Sequence, residues 1–281
     1  MSLTIRTLGR DEIRICLDLA AGEGWNPGLY DAAPFYATDS SGFFAAELDG
    51  ETIGCISAVR YATFGFIGLF IVREEQRRQG YGAALWDAAM QHLRDLPVGL
   101  DGVLAQEARY EQLGLKRGFL SVRYRSDARE PRDRFASKAM LERVRVLDDE
   151  VEAYDLACFG VARSAFLQTG VAQPDVVALS ARSLETGELL GYGVGRECRE
   201  GTKIGPLFAS RIDIATLLFD TIAMRTRSPW FLNVPEPNAA ALGLADERGM
   251  QREFECARMW RGTAPTIDLS KIYGLTSWEL G

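Results

Sequence analysis

The chain has 281 residues, which is long enough for one large domain or two ordinary ones. Its apolar content of 47% and charged content of 25% are typical of a globular protein, and its net charge of −7 argues against non-specific binding to nucleic acid. His92 is the single histidine of the sequence, which excludes a metal centre built from several histidines.

The cysteines and the hydropathy of the sequence further indicate which class of protein this is. The five cysteines are scattered and odd in number, and none belongs to a Cys-x-x-Cys pair. They predict reduced thiols in a cytoplasmic protein, without a metal site or a disulfide framework. The chain opens without an apolar leader, and no apolar run approaches the ~20 residues of a membrane span. We therefore expect a cytoplasmic protein that does not interact with membranes.

Hydrophobic patterns predict alternating strands and helices in the first half. A Gly/Pro/Asn-rich loop, Glu23 to Gly28, follows the first helix and is typical of a ligand-facing loop, although Trp25 could simply fill the core. Asp49-Gly50 is a strong hairpin signal. In chain order we expect a strand over 3–8, a helix over 10–21, a short helix over 31–36, strands over 42–48, 52–61 and 64–72, a helix over 83–93, a strand over 100–105, a short helix over 108–112 and a strand over 117–125.

The second half repeats this order of elements after a charged, Pro-containing segment. We interpret residues 127–138 as a linker between domains at 1–126 and 139–281, related by an internal duplication. In this half we expect a helix within 147–159, a helix over 164–169, strands over 176–183, 189–196 and 203–208, a helix over 213–225, a strand over 230–234, a helix over 238–247 and a strand over 254–261.

The most informative segment runs from Phe64 to Leu93, a continuous apolar strand followed by a basic turn and a helix. Gly80 and Gly82 at the helix entrance would let backbone N–H groups approach a ligand closely. A helix N-terminus beside several arginines is suited to a diphosphate. The alternative is an ordinary solvated turn, because the spacing matches neither a P-loop nor a dinucleotide fingerprint.

Two sequence motifs of the first half resemble those of the GNAT superfamily of acyl-CoA N-acyltransferases. Arg77-Arg-Gln-Gly-Tyr-Gly82 is similar to the family's Gln/Arg-x-x-Gly-x-Gly/Ala signature, and Tyr110-Glu-Gln-Leu-Gly-Leu115 is similar to its Tyr-Glu-x-x-Gly-Phe segment, with leucine in place of phenylalanine. This resemblance covers roughly residues 3–125. The second half resembles the C-terminal GNAT-like domain of a tandem subfamily in Lys203–Phe208, Val234–Asn238, Phe254–Met259 and Gly274–Ser277.

The resemblance implies an α/β (α+β) fold of two GNAT-like domains, each a mixed, mostly antiparallel twisted sheet flanked by helices. It also implies acetyl-CoA as co-substrate, direct attack by an amine, and Tyr110 as the general acid that protonates the thiolate. In the second half, Ala209 to Ala215 replaces the glycine turn and holds an aspartate, so only the first half is expected to bind the cofactor. The residues implied in binding acetyl-CoA are Phe70, Ile71, Val72, Arg77, Arg78, Gln79, Gly80, Tyr81, Gly82 and Ala83.

The general base and the acceptor site are less defined by the sequence. Asp101, on the strand that flanks the acyl group in the family, and Glu23, on the acceptor-side loop, are candidate bases, with Asp31 and Glu47 as further carboxylates. A small-molecule amine is the expected acceptor. Its candidate contacts are Trp25, Asn26, Glu236 and Glu255, and further polar groups of the second half are Arg163, Asn238 and Arg258.

Two alternatives remain open at this point. The chain could transfer a different acyl group, or it could be a CoA-binding sensor or interaction module in which Tyr110 is only structural. The sequence names neither the acceptor nor the base, and it leaves open whether the chain forms a homodimer.

Overall fold

A computed structural model of the protein describes residues 2–127 and 138–281. The predicted linker over 127–138 lies almost entirely outside these described residues, so the domain boundaries stay a prediction. No helix in the described parts of the chain is long and apolar enough to cross a membrane.

Most predicted elements are present, with shifts of a few residues at their ends. The helices are α1 Ile13–Gly22, α2 Ala32–Thr38, α3 Tyr81–His92, α4 Glu107–Gln112, α5 Asp149–Phe159, α6 Ser164–Val171, α7 Ile212–Arg225 and α8 Ala239–Glu247. The strands are β1 Leu3–Thr7, β2 Phe43–Leu48, β3 Glu51–Arg60, β4 Gly65–Val72, β5 Val98–Val103, β6 Lys116–Ser126, β7 Ala139–Arg143, β8 Val177–Ser183, β9 Leu189–Glu197, β10 Thr202–Ala209, β11 Trp230–Pro235, β12 Gln251–Arg261 and β13 Ile272–Gly274.

Across residues 2–127 and 138–281, the strands form one 13-stranded sheet in the order β1-β2-β3-β4-β5-β12-β6-β11-β10-β9-β8-β7, with β13 beside β10. The pairs β4–β5 and β10–β11 are parallel, and the other pairs are antiparallel. Helices cover both faces of this sheet. The predicted fold class, a mixed and mostly antiparallel α/β arrangement repeated in two halves, is therefore confirmed.

The two halves share a sheet because they exchange their closing strands. β12 of the second half pairs with β5 of the first half, and β6 of the first half pairs with β11 of the second. The exchanged strands also pair with each other. Ala257, at the centre of β12, is fully buried between Gly102 and Leu120 on the flanking strands. Backbone hydrogen bonds thus join the two halves along the middle of the sheet.

Each sheet face has its own set of helices. Buried residues of α3 and α4 pack on the first half of one face, and those of α7 and α8 pack on its second half. The other face is covered by α1, α2, α5 and α6. It is also covered by segment 275–281, in which every residue is buried. Tyr61 on the first half donates its hydroxyl to Leu280 O at 2.8 Å, and Trp278 Nε1 donates to Ser121 Oγ at 2.8 Å.

The strand exchange makes a testable prediction about stability. Ala257→Pro removes a donor from a strand with two neighbours, so we expect the free energy of unfolding to fall by about 2 kcal/mol or more. Met140→Pro, on the edge strand β7 with one neighbour, serves as the control. Chemical denaturation of both variants, followed by circular dichroism, measures the difference. An equal loss in both would contradict a central role for β12.

Candidate active site

The N-terminus of α3 presents backbone amides that no other part of the described chain uses. Within residues 2–127 and 138–281, the N–H groups of residues 78–82 donate no hydrogen bond, whereas Ala83 N donates to Gly80 O at 3.0 Å. The turn and the first helical residues are mostly exposed. Free amides and the positive end of a helix dipole form a site for an anion.

Gly80 is required by the backbone conformation of this turn. Its φ is 92°, in the left-handed region that favours glycine, and it precedes the first residue of α3. A Cβ on Gly82 would meet Phe70 at 3.5 Å, which is ordinary contact, so the fold itself does not require glycine there. A closely approaching ligand would explain the second glycine.

Arg77 links this turn to the loop predicted to face the acceptor. Its Nε donates to Val72 O at 2.8 Å, and its guanidinium forms an ion pair with Glu23. The structure therefore places Glu23, one candidate base, beside the turn at the end of β4. Its carboxylate is partly exposed, with 32% of the side chain accessible.

β4 and β5 pair at their first residues and then separate. Their parallel register covers only Gly65, Phe66 and Ile67 of β4, while β5 stays paired with β12 over its whole length. Leu69 has a φ of 47°, and the β3–β4 register shifts at the same place. This irregularity is a β-bulge of the kind that bends a strand and ends its pairing.

The separation leaves one edge of β4 open. Arg73 N donates to Ile53 O on β3 at 2.8 Å, so strand alternation turns the N–H and C=O groups of Val72 and Phe70 toward the β5 side. The hydrogen bond that Val72 O accepts from Arg77 Nε agrees with this direction. Ile71, which is paired with Cys55, turns its backbone groups toward β3. Phe70 and Val72 can therefore bind an extended ligand as an extra strand would.

Tyr110 lies on the β5 side of this opening. Its ring packs near Trp86 of α3 at a centroid distance of 6.1 Å, and a Cβ on Gly102 would lie 2.7 Å from the ring. Burial raises the pKa of Tyr110 to about 12. The phenol therefore remains protonated at neutral pH and can act as an acid.

Asp101, the other candidate base, is held in a buried ion pair. Arg258 Nε and Nη2 donate to its two carboxylate oxygens at 2.7 Å each. Burial raises the pKa of Asp101, and the Arg258 guanidinium offsets only part of this effect. Because Arg258 lies on β12, a residue of the second half binds this carboxylate next to the opening.

The loop containing Trp25 and Asn26 is docked on the second half. Asn26 exchanges two hydrogen bonds with the Glu200 backbone, at 2.8 and 2.9 Å. The Trp25 carbonyl accepts from Lys203 Nζ at 3.1 Å and from an Arg123 nitrogen at 3.2 Å. The second half thus positions the loop that was predicted to face the acceptor.

Among the described residues, no hydrogen bond or ion pair joins Glu236 or Glu255 to this loop. Glu236 is exposed, and Glu255 forms an ion pair with Arg252 at 2.8 Å. Because Phe254 is paired with Arg123, alternation places Glu255 on the opposite face of the sheet. Arg163 is paired with Asp155 in the core; Asn238 caps α8.

Sequence reasoning missed a group of buried polar residues on the loop's side of the sheet. Each of them points inward from an apolar strand or from segment 275–281. The sequence signal that could have identified them is a charged residue inside an otherwise apolar strand. They are Arg123, Lys203, Asn233 and Glu279, which are buried, and Arg196, whose side chain is 12% exposed.

The equivalent turn of the second half lacks these anion-binding features. α7 follows Arg211, whose φ of −162° is ordinary extended backbone, and Asp213 occupies its first turn and pairs with Arg211 at 2.7 Å. A carboxylate in the first turn already occupies the place of an anion. Among the described residues, no group of three or more His, Cys, Asp or Glu side chains is arranged to hold a metal ion.

Family comparisons cover both halves. Residues 10–115 match the model of the acetyltransferase (GNAT) family, and residues 151–274 match an acetyltransferase (GNAT) domain model. A holothin acyltransferase of Pseudoalteromonas sp. (strain SANK 73390) is 26% identical over 99% of this chain and 94% of its own length. An uncharacterised N-acetyltransferase of Bacillus subtilis (strain 168) is 24% identical over 98% of this chain and 97% of its own length.

Solved structures share the fold over the whole chain. A Pyrococcus horikoshii protein described as a candidate acetyltransferase superposes with a TM-score of 0.83 at 22% identity, covering 99% of this chain and 96% of its own. A tandem GNAT protein from the clavulanic acid biosynthesis pathway has a TM-score of 0.63 at 15% identity, covering 94% of this chain and 100% of its own. The tandem arrangement therefore recurs in full-length neighbours.

The Asp101–Arg258 pair predicts a pH-dependent loss of stability. Arg258→Met leaves a buried carboxylate without its partner, and we expect a loss of about 3–5 kcal/mol near pH 8. The raised pKa of Asp101 would rise further, so the folded state would bind a proton more readily than the unfolded state. The loss should therefore shrink as the pH falls toward 5. Denaturant unfolding at both pH values measures it.

The double variant Asp101→Asn/Arg258→Met is the control for this prediction. It has no buried charge to compensate, so its stability should depend less on pH than that of Arg258→Met. Equal pH dependence in the two variants would contradict the assigned pair.

Proposed function

Because this chain belongs to the GNAT superfamily of acyl-CoA N-acyltransferases, with two GNAT domains in tandem, we propose that it transfers an acetyl group from acetyl-CoA to a primary amine of a small molecule. The observation that supports this most directly is the adjacency of three features. They are the free amides at the start of α3, the open edge of β4, and the Tyr110 phenol beside that edge.

The start of α3 fits the pyrophosphate of the co-substrate. The amides of residues 78–82 and the helix dipole would stabilise its negative charge, with the exposed Arg78 near the turn. Arg77 is engaged by Val72 O and Glu23, so it would shape the turn. Gln79 and Tyr81 would contribute their free backbone amides, whereas the amide of Ala83 is bonded to Gly80 O and Ala83 would only border the ligand at this helix end.

The open edge of β4 fits the extended arm and the thioester. The N–H and C=O groups of Phe70 and Val72 would hydrogen-bond the arm as a neighbouring strand does, while Ile71 supports the edge from the β3 side. One of the two outward amides would stabilise the negative charge that develops on the thioester oxygen. This geometry favours Phe70 or Val72 over Ile71 as the amide donor.

The transfer needs one acid and one base. The neutral amine forms a C–N bond to the acyl carbon, the C–S bond breaks, and Tyr110 donates its proton to the departing thiolate. The amine nitrogen gives up a proton to a carboxylate, directly or through water. Asp101 lies on β5 beside the opening, and Glu23 lies on the acceptor-side loop; both remain candidates for this role.

The relatives support N-acyl transfer as the reaction class. One is a holothin acyltransferase and the other an N-acetyltransferase, and both align along nearly the whole chain. All five cysteines are free and buried, which fits a reducing compartment, so we place the reaction in the cytoplasm. The proposed site is built from one chain and requires no second copy.

The turn at Gly80 allows a direct test of donor binding. Gly80→Trp should abolish the thermal protection given by acetyl-CoA, because a side chain would strain the turn and cover its amides. Gly187→Trp is the matched control, since Gly187 also has a positive φ, 75°, with open space around its Cα, and lies in the second half. It should retain full protection. No thermal shift of the unmodified protein with any acyl-CoA would overturn the proposal.

The acid role of Tyr110 makes a kinetic prediction. Tyr110→Phe should lower kcat by about 10²-fold or more and leave the Kd of acetyl-CoA nearly unchanged. Tyr124→Phe is the control, because Tyr124 is a buried tyrosine of β6 on the same face of the sheet that packs near α7 and α8. Because the pKa of Tyr110 is about 12, the unmodified protein should show no loss of rate from phenol ionisation below pH 10. Unchanged turnover of Tyr110→Phe would remove the acid assignment.

A further inference from the structure

Three cations lie together on the sheet face covered by segment 275–281. Arg123 is on β6, and Lys203 and Arg196 are directly paired residues on β10 and β9. Arg123 is 3% exposed and Lys203 is 4% exposed. We term Arg123, Arg196 and Lys203 the cationic cluster. None of them has a role in binding the acyl donor.

The cationic cluster has more donors than its surroundings have acceptors. Arg123 Nε donates to Asn233 Oδ1 at 3.1 Å, and the Trp25 carbonyl accepts from both Arg123 and Lys203. Arg123 Nη2 is buried and has no hydrogen-bond partner within the described residues. Leaving a buried charged donor unpaired is costly, so such an atom commonly marks the place of an unobserved partner.

Arg196 repeats this pattern. Its two terminal nitrogens donate to Asp31 Oδ1 at 2.8 Å and to Thr276 O at 3.0 Å. Its Nε is buried without a partner in the described parts of the chain. Two arginines of one cluster therefore each retain a free donor.

Glu279 faces the cationic cluster without touching it. Burial alone would raise the pKa of Glu279, but Lys203, Arg196 and Arg123 together outweigh burial and lower it, so the group is ionised at neutral pH. Among the described residues, Glu279 forms no ion pair with any of these cations. Opposite charges therefore lie near one another without a direct ion pair, and we term the space between them the gap.

The backbone of Glu279 lies against β4 close to the open edge of that strand. A Cβ on Gly68 would lie 2.1 Å from Glu279 O, and Ser57 Oγ donates to the same oxygen at 3.4 Å. Gly68 is two residues before Phe70, whose amide opens toward β5. The Trp25 loop lies against Arg123 and Lys203. An acceptor in the gap would thus lie beside the place proposed for the thioester.

We propose that this gap is the acceptor subsite and that the acceptor is a zwitterion, an amine that also carries a carboxylate. The cationic cluster binds the carboxylate through the free nitrogens of Arg123 and Arg196, and Glu279 accepts a hydrogen bond from the ammonium group, which loses one proton to water before it attacks as the neutral amine. The inference rests on the proposed function, because it names the acceptor class of the same site.

The ion pair between Arg258 and Asp101 differs from the cationic cluster in how its donors are used. Arg258 and Asp101 share two hydrogen bonds of 2.7 Å, and no nitrogen of Arg258 is buried without a partner. In the cationic cluster, burial and, to a smaller extent, the charge of Arg123 lower the pKa of Lys203 to about 8. A ligand carboxylate supplies the missing negative charge.

The test compares amino acids with the amines left by removing their carboxylates. L-Leucine is paired with isoamylamine and L-phenylalanine with phenethylamine, and thiol release from acetyl-CoA gives kcat/KM for each. Binding of the N-acetyl products of each pair is measured by calorimetry in the presence of CoA, which reports on the subsite without turnover. We expect the carboxylate-bearing member to be preferred about tenfold or more in both measurements.

Different variants test the carboxylate-binding end and the ammonium-binding end of the subsite. Arg123→Gln and Arg196→Gln should each reduce the carboxylate preference toward unity while acetyl-CoA still binds. Glu279→Gln should lower kcat/KM for the amino acid and leave N-acetyl product binding nearly unchanged, because the product has no ammonium group. Arg248→Gln removes a partly buried arginine paired with Asp220 and serves as the control for general destabilisation.

The outcomes distinguish this inference from the proposed function. Equal kcat/KM within each pair would overturn the zwitterion subsite, although acetylation of any of these amines would support N-acetyl transfer. A protein that binds acetyl-CoA but neither turns over an amino acid nor binds its N-acetyl product would also overturn it. Failure to bind acetyl-CoA would instead contradict the proposed function.

Discussion

The pairing of β12 with β5 is the interaction on which the candidate site depends. β12 holds β5 along its whole length, whereas β4 follows β5 only as far as Ile67 and then stays with β3. The two strands therefore separate, and the outward backbone groups of Phe70 and Val72 are left for a ligand. The strand that fixes one side of this opening comes from the second half of the chain.

The same exchange explains why the second half matters without a diphosphate turn of its own. It contributes Arg258 to the Asp101 pair, holds the Trp25 loop through Lys203, and sends segment 275–281 across the first half as far as Gly68. The glycines required for a donor site are absent from its turn. In the function proposed here, the second half forms a wall of the acceptor side, while the first half carries the donor side.

Much of the fold, and the elements that form the candidate donor site, could be predicted from the sequence, because local signals encode them. An apolar run, a Gly-x-Gly turn and a helical pattern define β4, the anion turn and α3. The strand exchange could not be predicted, since β6 and β12 have the same patterns whichever neighbour they choose. The residues proposed for the acceptor side were missed for a related reason: Arg123 and Glu279 come near each other only through long-range packing, and Glu255 falls on the opposite face by one step of alternation.

Hydrogen–deuterium exchange with and without acetyl-CoA tests the central claim most directly. If the free amides of α3 and the open edge of β4 form the donor site, exchange should slow in peptides covering residues 68–83. Peptides covering the equivalent turn of the second half, residues 209–215, should be unchanged. Protection of the second turn, or no protection at 68–83 when acetyl-CoA is saturating, would contradict the account.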